Sequence, residues 1–542
     1  RGALARAAEA ELVRARALRA LGQSAAARDV ACETLALIAE RALPALSYQA
    51  SRLLGELSQD AGDADGALSA YLQAIASLEL VQGRILTEYR ASFLADKVDV
   101  YQISVELLLD RGDVAGAFDL VERAKSRALV DALAGGLDIR VRPRSDEQRR
   151  LVDELGQLRR VHDELVEGGE SGVQVVELER QIGTVLEELR LAGADDLEGL
   201  SLLEHRVHSP RAALDARTAL VQLFCAGADL LVFVVDRERI IARRVVGAVA
   251  RVANGLRGLQ LNLHAAASAT PERRAALEPN ARALLGRLYG DLVAPIADEL
   301  RRYERLVMLP HGILHQVPFA ALHDGHGYLV ERYELVSAPS ASSLSFCLRP
   351  RTRDTQRALV VAHSAAGGLP GAVDEARRVA DLFPGECLLE DQATGVRLRE
   401  RAPEADLLHI ATHGVSRPDA PLFSYLRLAD GHLTALDCFE LELDCALVTL
   451  SACESGRGVV DAGDEQIGLP RAFLYAGARS VVYSLWRIDD RATQSLMECL
   501  YGELRAGRGR GAALRAAQLA SLRTAGSHPW WWAGLVLVGD WR

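Results

Sequence analysis

Two stretches of the chain decide how the rest is read: Leu407-Leu408-His409-Ile410-Ala411-Thr412-His413-Gly414 and Leu447-Val448-Thr449-Leu450-Ser451-Ala452-Cys453-Glu454-Ser455-Gly456. Each opens as a short apolar run of strand length and closes on small residues and glycine, the mark of a buried strand running into a turn. Similar runs lie at Ala358 to Ala362, Ser480 to Leu485 and Leu535 to Val538. Between them fall helical patterns at Asp374 to Leu382, Gln466 to Ala476 and Ala492 to Leu504. That alternation predicts a mainly parallel sheet with helices on both faces. In open sheets of this kind function collects just past the carboxyl ends of the strands. His413 and Cys453 stand at two such ends.

If the two strands are neighbours, His413 and Cys453 face one crevice. An imidazole beside a thiol stabilises the thiolate, and it can later protonate a leaving amine. Gly414 leaves its N–H unobstructed, so that amide and the amide of Cys453 form a candidate oxyanion site. A lone histidine at a strand end is ordinarily a polar rim residue, and a lone cysteine is ordinarily core. The pair at two ends of one sheet is what points to catalysis. His409 and His413 also invite a metal reading. Four residues apart on a strand, however, their Cα atoms are about 13 Å apart, too far to share an ion easily. No acidic zinc-site partner accompanies them, so no metal and no cofactor is expected.

Further toward the amino terminus, Leu220 to Phe224, Leu230 to Val235 and Ile240 to Arg243 predict an antiparallel set. Arg305 to Leu309 predicts a buried strand ending in a His-Gly turn. The stretch from Asp146 to Leu191, rich in Glu, Arg and Leu with glycines at its middle, predicts a long helical hairpin that reads as a spacer or lever carrying no chemistry. The first 130 or so residues read as all-helical. Within them Gly62-Asp63, followed by Ala67 and Tyr71, recurs as Gly112-Asp113 followed by Ala117 and Val121, with an earlier echo at Leu21-Gly22. These phases depart from the regular period of about 34 residues of tetratricopeptide repeats, so a degenerate repeat and a plain helical domain both remain open.

The 542 residues are enough for several domains, and an apolar fraction of 49% with 25% charged residues is an ordinary globular balance. A net charge of -11 argues mildly against a nucleic-acid surface, and no apolar run is long enough to span a bilayer. Eight cysteines without a CxxC pair predict reduced thiols in a cytoplasmic setting. The first residue is arginine rather than methionine, so a removed leader remains open.

Taken in order, the motifs from about residue 300 to the end resemble the CHAT domain family, caspase-like peptidases often attached to tetratricopeptide repeats and related to separase. The resembling features are Leu309-Pro310-His311-Gly312, Leu369-Pro370-Gly371-Ala372 with Asp374-Glu375, and His409-Ile410-Ala411-Thr412-His413-Gly414. They continue through Leu450-Ser451-Ala452-Cys453, Ala472-Phe473-Leu474-Tyr475-Ala476-Gly477-Ala478, Ser484-Leu485-Trp486 with Asp489-Asp490, and Pro529-Trp530-Trp531-Trp532. The resemblance implies a cysteine endopeptidase with His413 and Cys453 as its dyad. It also implies four regions: helical repeats over 1-134, a hairpin linker over 135-200, a non-catalytic first half over 201-345 and a caspase-like catalytic half over 346-542.

The resemblance further implies a protein substrate, a regulatory partner bound through the helices, and a place in a bacterial defence or cell-death pathway. The other reading of the chain is a scaffold that binds partners without cleaving them. The caspase signature itself is not matched, because an extra residue precedes Gly456, so a preference for aspartate at the cut does not follow. In separase the stretch equivalent to Trp486-Arg487-Ile488-Asp489-Asp490 supplies an acidic residue for an arginine, and Asp490 is the nearest match. Trp486, Asp489 and Asp490 are thus candidate substrate-binding residues. Against that stands the alternative that Asp489 or Asp490 caps the following helix.

Overall fold

Helices open the chain: α1 (Gly2–Ala20), α2 (Ser24–Ala39), α3 (Pro44–Asp60), α4 (Ala64–Gln82), α5 (Val98–Asp110) and α6 (Val114–Ala124). The structure, a computed structural model, describes residues 2–39, 43–82, 98–125, 145–167, 173–193, 210–349, 357–364, 367–417, 420–452, 468–524 and 528–542. It divides into two compact units, Arg1–Ala124 with Gly193–Asp195 and Lys125–Ala192 with Asp196–Arg542.

In the first unit α1 turns back on α2 at Gly22, α3 on α4 at Gly62, and α5 on α6 at Gly112. All three glycines take a left-handed φ, of 78°, 73° and 75°. A side chain there would meet the steric cost that glycine avoids. Asp63 and Asp113 each accept the amide three residues on, from Gly66 and Gly116, at 2.9 Å, and so cap the second helix of their pair. Ala67, Tyr71, Ala117 and Val121 are all buried. Tyr71 lies so close to Gly55 of α3 that a Cβ there would sit 2.5 Å from its ring. A left-handed glycine therefore marks each of three antiparallel helix pairs, two of them with the Gly-Asp motif, in an all-helical region.

The second unit holds the helical hairpin, α7 (Asp146–Glu167) and α8 (Val173–Gly193), and one large sheet. The sheet strands are β1 (Thr218–Ala226), β2 (Asp229–Val235), β3 (Ile240–Val245), β4 (Arg305–Leu309), β5 (Glu334–Ser337), β6 (Ala358–Ala362), β7 (Gly385–Leu389) and β8 (Leu407–Ala411). β12 (Leu447–Ser451), β13 (Ser480–Ser484) and β14 (Leu535–Gly539) complete it. A separate three-stranded sheet is made by β9 (Gly414–Val415), β10 (Tyr425–Leu428) and β11 (Gly431–Thr434). The order in the large sheet is β3-β2-β1-β4-β5-β14-β13-β12-β8-β6-β7. Antiparallel pairing is confined to β1 with β2, β2 with β3, and β13 with β14, and the remaining neighbours run parallel.

Two halves thus share one sheet, joined where β5 meets β14. Helices α9 (Ala248–Ala267) and α10 (Pro271–Leu292) pack their apolar faces on the first half, with Trp530 and Trp532 in the same core. His311 of the His-Gly turn belongs to that half. Its Nδ1 accepts the Cys225 amide at 3.2 Å, and its ring rests 4.5 Å from that of Phe224. Around the second half stand α11 (Ala341–Cys347), α12 (Pro370–Ala380), α13 (Gly395–Arg401), α14 (Leu469–Tyr475), α15 (Asp490–Arg505) and α16 (Arg510–Thr524). Alternation along the strands sorts the faces. Ser484 and Leu535 line a pocket with residues of α12 and α15, whereas Tyr483 and Val536 line another with Leu474 of α14. The sheet is caspase-like in class, mainly parallel and covered on both faces.

Candidate active site

β8 and β12 are neighbours, in parallel, with His409 opposite Thr449, Ile410 opposite Leu450 and Ala411 opposite Ser451. His413 follows the first of these strands by two residues and Cys453 follows the second by two, so the sequence gives both the same offset from the paired ends. Cys453 itself, with residues 454–467, lies outside the described residues. Ala452 before it is buried.

The backbone around His413 is tied from both sides. The Thr412 amide donates to Ser451 O at 3.3 Å, the Thr412 hydroxyl donates to Arg427 O, and the Arg427 amide donates to His413 O at 2.9 Å. His413 is exposed. Gly414 begins β9 opposite Leu426 of β10. In an antiparallel ladder the residue beside a bonded pair turns its amide outward, so the Arg427–His413 bond leaves the Gly414 N–H directed away from β10.

Below these strand ends a pocket of about 540 Å³, counted to its open mouth, lies between α12 and α15. Thr412, Ser451, Ala452, Ser484 and Ile488 form its rim and walls, and Glu375 of α12 reaches it from below. Glu375 belongs to a buried polar cluster that motif reading missed. His409 places Nε2 3.0 Å from Glu375 Oε1, an ion-pair distance without hydrogen-bond alignment. Its Nδ1 lies 3.0 Å from the Tyr501 hydroxyl, which donates to Thr449 Oγ1 at 2.8 Å. Burial pushes the Tyr501 phenol well above its usual range. His409 is therefore a core residue linking β8, β12, α12 and α15. The only sequence sign of this was its place on the inward side of an apolar strand.

The candidate substrate-binding residues have separate placements. Asp489 is the N-cap of α15, its carboxylate accepting the Arg491 and Ala492 amides at 3.0 and 3.3 Å. Trp486 is half-buried, donates its indole N–H to Trp530 O at 3.2 Å, and packs on the core of the first half. Asp490 is the first residue of α15, and its side chain is outside the described set. Among the other cysteines Cys347, Cys438 and Cys445 are buried, and burial lifts the Cys347 thiol to about 12, which leaves it inert. The hairpin, read in the sequence as a spacer or lever without chemistry, contributes Glu179 to a bidentate pair with Arg417, four residues past His413.

The fold, a mainly parallel sheet covered by helices on both faces, is caspase-like in class, and His413 stands at one central strand end beside the strand that leads to Cys453. Residues 282–540 match the CHAT domain. That match lies behind an all-helical region, in the place the motifs implied. Human tetratricopeptide repeat protein 28 is 29% identical over 50% of this chain, and its mouse counterpart 30% over 50%. This chain spans 14% of those relatives' length. They are mammalian, so the bacterial source implied by the resemblance gains no support from them. Among solved structures, Saccharomyces cerevisiae separase in its securin complex aligns over 99% of this chain and 50% of its own, with 11% identity and a TM-score of 0.43. The Arg-specific cysteine proteinase gingipain R aligns over 49% of this chain and 68% of its own, with 10% identity and a TM-score of 0.33. Among the described residues, no helix is long and apolar enough to cross a membrane.

Proposed function

We propose that the chain is a cysteine endopeptidase in which Cys453 is the nucleophile and His413 its acid/base partner. The observation that carries this reading is the β8–β12 register, which brings the two strands leading to these residues side by side. In the proposed cycle the Cys453 thiolate attacks the scissile carbonyl, and the oxyanion is held by the Gly414 and Cys453 amides. The carbon–nitrogen bond then breaks, the protonated His413 gives its proton to the leaving amine, and an acyl-enzyme remains. Water, deprotonated by His413, cleaves that thioester and restores the thiol.

The pocket beside Ala452 takes the side chain before the cut in this reading, with Asp490 as the candidate partner for an arginine. Asp489 and Trp486 support it by holding the start of α15 and the preceding loop. The helical repeats receive a regulatory protein partner, in a defence or cell-death setting. The test is peptide-resolved alkylation of Cys453 by iodoacetamide near neutral pH, in the full chain and in His413→Ala. Fast labelling that drops in the variant is the expected result. Equal, slow labelling in both points instead to a scaffold without peptidase chemistry.

A further inference from the structure

The hairpin lies outside the residues that match the CHAT domain, yet its side chains grip the segment that follows His413. Glu179 of α8 accepts both terminal N–H groups of Arg417, at 2.8 and 3.2 Å, and lies 3.2 Å from His162 Nε2 on α7. The side chains of Glu179 and His162 are only 8% and 6% exposed, so this is not a loosely solvated surface pair. The His162 ring rests 4.8 Å from that of Phe423, and the Arg417 amide donates to Ser424 Oγ at 3.0 Å. Phe423 and Ser424 lead directly into β10, the partner of β9.

A second attachment lies at the far end of the same small sheet. Arg159 of α7 donates to Glu440 at 2.7 Å and to Asp437. Asp437 in turn accepts the Thr434 amide at 2.8 Å, where β11 ends. α7 and α8 therefore hold both ends of the β9–β11 sheet. Burial alone raises the Glu179 carboxyl, but the bonds from His162 and Arg417 outweigh it and hold its pKa below the ordinary value. The clamp is charged at neutral pH, and breaking one partner of a buried pair leaves an uncompensated charge.

We propose that Glu179 and Arg417 are positioning residues for His413: the hairpin clamps the β9–β11 sheet and thereby fixes the imidazole against Cys453. This rests on the peptidase reading of His413 and Cys453. β9 is two residues long, so the course of the chain after His413 is set largely by contacts at its ends. A bidentate guanidinium–carboxylate pair fixes both distance and plane, which a single point charge does not.

The test uses the full chain with Glu179→Gln, Arg417→Gln, the double variant and Arg417→Lys. Iodoacetamide labelling of Cys453 is followed by peptide-resolved mass spectrometry at neutral pH and near pH 10, and tryptophan fluorescence checks folding. Each Gln variant is expected to slow labelling at neutral pH by roughly 5- to 50-fold, with the double variant no slower than the worse single. Arg417→Lys, which keeps the charge and loses the fork, falls between. Near pH 10 thiols ionise unaided, and the rates converge with wild type. Folded variants that label as fast as wild type at neutral pH overturn the inference. Equal slowing at both pH values overturns it too, since the hairpin would then only shape access to the thiol. Wild-type labelling that ignores His413→Ala refutes the peptidase reading instead, and the inference falls with it.

Discussion

Replacing Tyr501 by phenylalanine removes one oxygen atom from the centre of the second unit, and the structure allows its cost to be worked out. The Tyr501 hydroxyl donates to Thr449 Oγ1 at 2.8 Å and lies 3.0 Å from His409 Nδ1, and all three side chains are essentially inaccessible to water. The ring is retained, so its packing against Phe383, 6.0 Å away between centroids, survives and no cavity opens. What changes is that two buried polar groups each lose a partner, at about 1–3 kcal/mol apiece. Thr449 can turn its hydroxyl and recover part of this, so the expected loss is about 2–4 kcal/mol. All five tryptophans, Trp486, Trp530, Trp531, Trp532 and Trp541, lie in the second unit, so tryptophan fluorescence during urea unfolding reports on that unit without the helical repeats. A Tyr501→Phe loss under about 0.5 kcal/mol, with an unchanged urea slope, would refute the view that the cluster ties β8 to β12.

Three further outcomes follow from particular contacts. His528 is buried and neutral, with Nδ1 accepting the Trp530 amide and Nε2 facing Asn262 Oδ1, and desolvation lowers its pKa to about 4. The unfolded chain therefore binds a proton that the folded chain rejects between about pH 6.5 and 4. Its stabilising effect is complete above that window and is lost as pH falls through it. Fluorescence-detected urea midpoints for wild type and His528→Gln should diverge in that window, and parallel curves would contradict the assignment. Gly477 has φ 114° at the end of α14, and an added Cβ would sit 2.1 Å from Leu443 O, so Gly477→Ala should cost about 3 kcal/mol or more. Near-wild-type stability would show the turn to be tolerant. Asp489→Ala should cost about 1 kcal/mol through the lost cap and leave the preferred residue before the cut unchanged, whereas Asp490→Ala should weaken a preference for arginine. A peptide-library profile of both variants checks this, and an unchanged Asp490→Ala profile would remove that residue from the pocket.

What could be read in advance depended on how far apart the partners lie in the chain. The apolar runs ending in Thr412-His413-Gly414 and Ala452-Cys453 mark two strand ends because each carries its signal within eight or ten residues, whereas their adjacency, only a condition in the sequence, comes from the β8–β12 register. The Gly-Asp turns at Gly62 and Gly112 were equally local, since a left-handed φ followed by a capping carboxylate requires those residue types. The polar cluster was not legible, because His409 meets Tyr501 92 positions away and Glu375 from another helix. A buried histidine on a strand looks the same in sequence whether it binds a metal, a phenol or nothing. The joining of the two halves through β5 and β14 rests on one registered pair, Val538 with Ser337, and no periodicity encodes it. The hairpin's helices are legible, but its Glu and Arg content is that of a solvated helix pair, and only the meeting of Glu179 with Arg417, 238 positions apart, shows that part of it is buried.

Peptide-bond cleavage by Cys453 and His413 is best tested by cleavage itself. A proteome-derived peptide library is incubated with the full chain, with Cys453→Ala and with His413→Ala, and new amino termini are read by mass spectrometry. A defined set of cuts is expected with the wild-type chain, none with Cys453→Ala, and a loss of about 100-fold or more in rate with His413→Ala. Cuts that persist unchanged in folded Cys453→Ala would rule out Cys453 as the nucleophile.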